Sequence, residues 1–355
     1  MYTNSNICMI AFLCICLSAC ADHPSTAIPD GSESPVPIGF SSEIIPPSET
    51  IARGSVITDI TQMYIYASYT GTSDWTPASH TFNYMYGQLV KKETSTGWTY
   101  SPVKYWPNNT ADKISFFAYA PIEVKEQGKL TVSAASAANP LFTYTLPAKE
   151  SEKTDLLAAS VLNCMNTTQK VSFFMKHALT QVEIKVKNGA TSAISKITLS
   201  AASITLPGTG SLSFNAATAS DAFTWTPNPD AAKILTITAD ETVGGTGNNT
   251  VVLNADTNAK HLATFFLLPV GDPSSTVTLQ LTYSLTKSPG TASGSTPVTM
   301  TTSVTLPATP LWIPGSTLVY TVGIIDDRLL IDDTVVIGEF GSGSTGLGDG
   351  DISAT

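Results

Sequence analysis

The sequence predicts an all-β protein built of two β-sandwich domains, and three observations lead to this prediction. Apolar and polar residues alternate with a period of two over many short stretches, which is typical of strands with one buried face. Turn signals such as the Pro207–Gly208 pair separate several of these stretches. No stretch keeps an apolar period of 3.6 residues over the length of a long helix. With 355 residues, the chain is long for a single core, so two domains are expected.

The first 20 residues indicate export. An uncharged apolar run over 7–17 is about half as long as the roughly 20 residues that span a bilayer, which favours a signal peptide over a membrane anchor. The run ends on "LSAC", which resembles the lipobox of bacterial lipoproteins, with Cys20 as its cysteine. We therefore predict a signal peptide over 1–19 and an acyl chain on Cys20 that inserts into outer-membrane lipid. An ordinary secretory signal cleaved nearby is the alternative.

After the signal peptide come a flexible tether, one short predicted strand and a second linker. Residues 20–37 are rich in Pro, Ser and Asp, a composition that predicts a flexible tether. The next stretch, "IGFSSEII" over 38–45, is a predicted strand, and "PPSET" ends it. Arg53 follows in this linker, is the only basic residue among the first 90, and precedes Gly54. Proteases act on exposed linkers of this kind.

The remaining chain divides into two predicted domains at a boundary within 160–195. The N-terminal domain, 38–175, is the more aromatic and contains strand-like stretches such as "MYIYASY" and "KISFFAYAP". Its stretch "ESEKTDLLAASV" predicts at most a short helix. The C-terminal domain, 176–340, shows the clearest alternation, in "QVEIKVK", "TVTLQLTYSL" and "STLVYTVGI". The tail over 341–355 is Gly- and Ser-rich and is predicted to be disordered.

Charge and cysteine content exclude several classes of function. The net charge is −10, and the chain lacks the basic patch that nucleic acid or anionic lipid headgroups require. Four of the five cysteines lie within the first 20 residues, which leaves Cys164 as the one free thiol of a chain lipidated at Cys20. No disulfide within the mature chain is therefore expected.

No pattern in the sequence predicts catalysis. The four histidines lack metal-ligand spacing, and the Gly-rich stretches lack the G-K-[ST] of a phosphate loop. The paired aspartates at 326–327 and 332–333 are more typical of a turn than of a calcium loop. We expect no catalytic residue, no metal site and no cofactor. The aromatic residues of "GWTYSPVKYWP", which are Trp98, Tyr100, Tyr105 and Trp106, fit either core packing or a surface on which sugars stack.

Several stretches, taken in order, resemble the Mfa-like fimbrillin family of Bacteroidales lipoproteins. They are "LSAC", "IGFSSEI" before an arginine, "GWTYSPVKYWP", "ISFFAYAP", "DLLAA", "VSFFMKHALTQVEIKV" and "LWIPGSTLVYTVGI". The resemblance implies two β-sandwich domains of transthyretin-like, Greek-key topology and a place in a pilus on the outer membrane. It also implies that an arginine-specific surface protease removes the first strand, and that a strand of another subunit, a second copy or a paralogue, fills the groove.

Carried onto this sequence, the resemblance assigns roles to individual residues. It implies cleavage between Arg53 and Gly54. The side chains that fill the groove before cleavage would be Ile38, Phe40, Ile44 and Ile45. A donor strand would come from the C-terminal region, with candidate residues Leu318, Tyr320, Val322, Ile324, Val335 and Ile337. Phe340 stands where the family usually has Trp, which leaves open whether the C-terminus donates a strand as in shaft subunits.

Two hypotheses of function follow. The first is a structural subunit of a surface fimbria that serves adhesion to a host or bacterial ligand. The alternative is a monomeric outer-membrane lipoprotein that binds glycans through exposed aromatic residues.

Overall fold

A computed structural model confirms that the protein is all-β. It describes residues 34–44, 57, 59–78, 81–138, 140–167, 170–189, 194–216, 222–237, 251–254, 258–269, 277–287, 297–307, 312–325 and 327–339. The signal-peptide segment, Cys20, Ile45, Arg53, Gly54 and the tail over 341–355 lie outside the described residues. Within the described part of the chain, no helix has the length and apolar character needed to cross a membrane.

Strands make up most of the described chain. In the N-terminal half they are β1 (Phe40–Ile44), β2 (Gln62–Gly71), β3 (Met85–Glu93), β4 (Gly97–Thr99), β5 (Lys113–Ala120), β6 (Leu130–Val132), β7 (Leu141–Thr145), β8 (Leu157–Cys164) and β9 (Val171–His177). In the C-terminal half they are β10 (Thr180–Asn188), β11 (Ile194–Pro207), β12 (Thr209–Phe214), β13 (Phe223–Pro227), β14 (Ala232–Ile237), β15 (Val251–Asn254), β16 (Lys260–Leu267), β17 (Val277–Lys287), β18 (Val298–Leu306), β19 (Ser316–Ile325) and β20 (Arg328–Glu339). The helical elements are α1 (Glu123–Glu126) and a 3-10 turn over Glu150–Glu152.

The N-terminal strands form a seven-stranded sheet in the order β1-β9-β8-β5-β2-β3-β4. Its first and last strands approach each other, because the Phe40 ring in β1 lies 5.2 Å from the ring of Tyr100, which follows β4. The sheet therefore curls around its inner face. That face holds an apolar cluster, named here the inner cluster, whose large members include Phe40, Trp106, Phe116 and Phe173.

The outer face of the central strands packs against a second sheet of order β13-β12-β7-β6. Phe117 of β5 lies 4.9 Å from Phe214 of β12, and Tyr66 of β2 lies 5.3 Å from Phe142 of β7, between ring centroids. This sheet joins strands from both sides of the predicted boundary at 175/176. The division of the chain into two domains stays a prediction.

The C-terminal strands form two further sheets that share one large core with the elements just described. One has the order β16-β10-β19-β20, and the other has the order β14-β11-β17-β18, with β15 paired to β11. Strand β10 shows how the sequence produces this arrangement. Val182, Ile184 and Val186 are fully buried, and the alternating Glu183 and Lys185 remain partly exposed. The predicted alternation is confirmed here, whereas the transthyretin-like topology stays a prediction.

The predicted short helix over 150–161 is observed only as the 3-10 turn Glu150–Glu152. Leu157–Cys164 is instead strand β8, which lies between β5 and β9 in the seven-stranded sheet. Pairing on both sides overrides a weak local preference for helix.

Candidate functional site: the first strand and its groove

Strand β1 lies at the start of the seven-stranded sheet and runs parallel to β9. Its ladder covers five residue pairs, from Phe40 opposite Val171 to Ile44 opposite Met175. The amide of Val171 donates to the carbonyl of Gly39 at 2.9 Å. The sequence predicts a strand over 38–45, and the structure shows it over Phe40–Ile44. Because β1 joins only β9 in the order of this sheet, it can leave without breaking the pairing among the other strands.

The inward side chains of this segment belong to the inner cluster. Ile38 is 1% exposed and Phe40 is 4% exposed, and Ile44 packs against the same cluster while partly buried. The Phe40 ring contacts three other rings, with centroid distances of 5.2 Å to Tyr100, 5.7 Å to Phe116 and 6.2 Å to Phe173. Phe40 therefore fills an aromatic pocket supplied by three different parts of the sheet.

The residues just before β1 attach it to the opposite end of the sheet. The amide of Ile38 donates to the Lys104 carbonyl, and the amide of Trp106 donates to the Val36 carbonyl, both at 2.9 Å. The Tyr100 hydroxyl donates to the Ile38 carbonyl at 2.8 Å. We call this short pairing of 36–38 with 104–106 the clasp. Through the clasp and the β9 ladder, residues 36–44 close the curled sheet from both sides.

The next inward position after Phe40 is Ser42. Its hydroxyl oxygen is buried and has no hydrogen-bond partner among the described residues. Burying a hydroxyl oxygen without a partner is unfavourable, although Ser42 as a whole is only partly buried. The inward residues thus read, in order, Ile38, Phe40, Ser42 and Ile44.

The two candidate donor strands differ in their place in the fold. Strand β19 lies between β10 and β20, and its candidates Leu318, Tyr320, Val322 and Ile324 are fully buried. Strand β20 is the last strand of its sheet, and its candidates Val335 and Ile337 pair with Val319 and Thr317. Only β20 has the terminal position that a donated strand needs.

The aromatic residues named for a glycan surface are mostly core residues. Trp106 is 4% exposed within the inner cluster, and Trp98 and Tyr100 are partly buried against the same cluster. Tyr105, at 45% exposed, is the one of the four on the surface. Trp106 is therefore not a sugar-stacking residue, because the curled sheet encloses it.

Sequence reasoning missed a row of tyrosines beside the inner cluster, of which Tyr69 and Tyr105 are exposed and Tyr84 packs partly buried against the cluster. The rings of Tyr69 and Tyr84 lie 6.3 Å apart, and the Tyr84 hydroxyl donates to the Tyr105 carbonyl. The ammonium of Lys104 lies 5.7 Å from the centre of the Tyr84 ring, and the Tyr69 hydroxyl donates to Asp112 at 2.6 Å. Tyr69 lies in β2, Tyr84 directly precedes β3, and Lys104, Tyr105 and Asp112 lie between β4 and β5, so only the fold brings these residues together.

A separate cleft of about 360 Å³ lies between the start of β2 and the end of β5. One lining residue, Asp155, is buried, and its Oδ2 lies within hydrogen-bond distance of Nδ1 of His177, at 2.8 Å. The described residues contain no group of three or more His, Cys, Asp or Glu side chains placed to hold a metal ion. Burial raises the pKa of the Cys164 thiol to about 11, which disfavours the reactive thiolate.

A family model and a curated relative match this chain. A family model described as fimbrillin-like matches residues 50–339, and β1 precedes that match. The chain is 33% identical over 138 residues to Fimbrium subunit Fim1C of Phocaeicola vulgatus, in a match that covers 35% of this chain and 36% of the relative.

Solved structures of low sequence identity are also similar to this chain. A candidate cell adhesion protein of Bacteroides uniformis is 16% identical, with 85% of this chain and 98% of that chain covered and a TM-score of 0.45. A fimbrial protein of Bacteroides ovatus is 10% identical, with 83% of this chain and 50% of that chain covered and a TM-score of 0.34.

Proposed function

The chain belongs to the fimbrillin-like family, and from this premise we propose that it is a structural subunit of a bacterial surface fimbria that serves adhesion. The observation that carries the proposal is the position of β1. It is a strand paired on one side only to β9, its side chains complete the inner cluster, and the linker with Arg53 follows it.

The proposed maturation begins with export as a lipoprotein acylated on Cys20. An arginine-specific protease then cuts between Arg53 and Gly54, and the segment with β1 departs. Its departure leaves backbone groups of β9 without hydrogen-bond partners. Each such group, if it stays buried, costs roughly 1–3 kcal/mol. Its departure also exposes the apolar surface that Ile38 and Phe40 covered. The burial of each of these side chains contributes roughly 1.5–3 kcal/mol, and this contribution is lost.

A strand of another subunit restores both contributions by β-augmentation. We assign the donor role to β20 rather than β19, because extraction of β19 would break pairing on both of its sides and empty the C-terminal core. This assembly needs no cofactor, because the free energy of folding drives it.

The direct test compares the wild-type chain with Arg53→Lys, which keeps the positive charge and removes the arginine. After treatment with an arginine-specific protease, the wild type should yield a new N-terminus at Gly54 and strand-exchanged oligomers, detected by mass spectrometry and size-exclusion chromatography. Arg53→Lys should retain the full N-terminal segment and stay monomeric. Oligomers of Arg53→Lys equal to those of the wild type would show that this cut does not control assembly.

A glycan-binding function remains a second candidate, now placed on the tyrosine row. Tyr105 and Tyr69 are exposed, and flat aromatic faces flanked by hydrogen-bonding groups suit the apolar faces and hydroxyls of sugars. A polysaccharide array should then show binding that Tyr105→Ala loses and Tyr86→Ala keeps, because Tyr86 contacts Ser133 away from this row. Equal binding by both variants would exclude the tyrosine row as the site.

A further inference from the structure

We propose that β9 is held as a strand by β1 and not by β8, so that β9 loosens when β1 leaves and becomes ordered again together with the strand that replaces it. The surface that accepts an incoming strand is then a mobile strand, not a preformed rigid edge. The coupling between β1 and β9 is a property of the uncut chain, and only its role in assembly rests on the proposed loss of β1.

The two ladders of β9 differ in length and in place. Its residues 171–175 pair with all five residues of β1, Phe40–Ile44. On its other side β9 pairs with β8 only at its C-terminal end, where residues 176–177 lie opposite 157–158. All residues of these three strands belong to the described part of the chain. Residues 171–175 are therefore paired through β1 alone.

Packing holds β9 on one face only. Val171, Phe173 and Met175 point into the inner cluster and are fully buried, whereas the alternating Ser172 and Phe174 are exposed, Phe174 by 57%. Strand β5 is the contrast, because it is paired along its length with β2 and β8, and all of its residues but the first are buried. Over residues 171–175, β9 has neither the second ladder nor the outer layer that hold β5.

The C-terminal end of β9 is attached independently of β1. Besides its two pairs with β8, Nδ1 of His177 lies 2.8 Å from Oδ2 of the buried Asp155. The amide of Ala178 donates to the Leu156 carbonyl at 2.7 Å. We therefore expect the part of β9 that pairs with β1 to move about this fixed end.

This arrangement changes what an incoming strand meets. Once β1 has left, residues 171–175 have no ladder on either side, and segments with few such contacts open readily. The incoming strand must then order these residues as well as itself, at a cost in conformational entropy for each residue fixed. In the uncut chain β1 supplies both the ladder and a packing contact, since the Phe40 ring stacks on Phe173 at 6.2 Å.

Hydrogen–deuterium exchange of the uncut full chain tests the coupling, with Phe40→Ala as the first variant. This change should speed exchange of the amides in 40–44 and in 171–175 by the same factor, up to about 100-fold, because loss of a buried ring destabilises the element that carries it. Exchange in β8 and at 176–178 should stay as in the wild type.

Tyr100→Phe is a milder second variant, needed because Phe40 itself contacts β9. It keeps the ring of Tyr100 and removes the hydroxyl that donates to the Ile38 carbonyl in the clasp, so it weakens the attachment of β1 without removing a side chain that β9 contacts through β1. Exchange should rise about 2- to 10-fold, equally in 40–44 and in 171–175.

Phe142→Ala in β7 is the matched control, because it removes an equally buried ring from the larger core. It should leave exchange in both segments unchanged. Faster exchange in 40–44 with unchanged exchange in 171–175 would overturn the proposal, since β9 would then be held without β1. Equal acceleration in β8 and in 171–175 would also overturn it. No cut at Arg53 is made in this measurement, so its outcome is independent of the test with Arg53→Lys.

Discussion

Replacement of Tyr320 by Phe tests the assignment of β19 to the permanent core. The Tyr320 hydroxyl donates to the Pro307 carbonyl and accepts from Nε1 of Trp312, each at 2.7 Å. Both Tyr320 and Trp312 are at most 1% exposed. Removal of the hydroxyl oxygen therefore leaves the buried indole N–H of Trp312 without its partner, whereas the carbonyl of Pro307, an exposed residue, can accept from water. At roughly 1–3 kcal/mol for a buried donor left without a partner, the free energy of unfolding should fall by about 1–3 kcal/mol.

Guanidinium-induced unfolding, followed by tryptophan fluorescence and circular dichroism, measures this change. Tyr86→Phe is the matched control, because the Tyr86 hydroxyl also donates to one carbonyl, that of Ser133 at 2.9 Å, but its side chain is 48% exposed. Water replaces the lost contact there, so the loss should stay within about 0.5 kcal/mol.

A double-mutant cycle with Trp312→Phe isolates the pair. The coupling energy between Tyr320 and Trp312 should fall in the range of about 0.5–3 kcal/mol that contacting buried residues show. The reasoning is refuted if Tyr320→Phe destabilises no more than Tyr86→Phe, because the hydroxyl would then not be sealed from water and β19 would be less firmly held than its burial implies.

Three further predictions concern burial and backbone conformation. Burial raises the pKa of the Cys164 thiol to about 11 from 9.0. Iodoacetamide at pH 8 should therefore alkylate the thiol of the native protein about 100-fold more slowly than that of the unfolded protein, as measured by mass spectrometry. Equal rates would contradict this prediction. Burial also raises the pKa of Tyr66 and Tyr320 to about 12. The free energy of unfolding should be unaffected below pH 10 and should fall as the pH rises to 12, because the unfolded state loses these protons first. An unchanged free energy of unfolding between pH 10 and 12 would refute this prediction. Gly87→Ala should destabilise more than Gly128→Ala in thermal melts, since both glycines have positive φ but only at Gly87 would a Cβ meet a neighbour, the Tyr66 hydroxyl at 3.3 Å.

Local patterns were sufficient to predict the fold class. The alternation in "QVEIKVK" becomes β10 with three fully buried side chains, and "STLVYTVGI" becomes the core of β19. An apolar period of two residues indicates a strand with one buried face, so a stretch of seven to nine residues was enough to predict each of these strands. The stretch at 150–161 is the exception, since pairing of β8 with β5 and β9 decides its conformation and no local window contains those partners.

The candidate site could be predicted only in part, because its geometry depends on contacts far apart in the chain. The apolar residues of 38–45 were recognisable, but their parallel pairing with β9 joins positions 131 residues apart. The clasp, the burial of Trp106 and the terminal position of β20 all depend on how the sheet curls and orders its strands. From the sequence, Trp98, Tyr105 and Trp106 were equal candidates for a glycan surface. Only the fold shows that Tyr105 is exposed and that Trp106 is buried in the inner cluster.

The two kinds of contact that hold residues 36–44 have different consequences for assembly. Backbone hydrogen bonds to β9 and to the clasp can be remade by any extended chain of sufficient length, so they contribute affinity without distinguishing partners. The Phe40 pocket depends on a side chain, because a residue without an aromatic ring at this position loses the contacts with Tyr100, Phe116 and Phe173. Specificity is a difference between affinities, so in the proposed exchange it would come from the side chains that fill the groove, which are those of Ile38, Phe40 and Ile44.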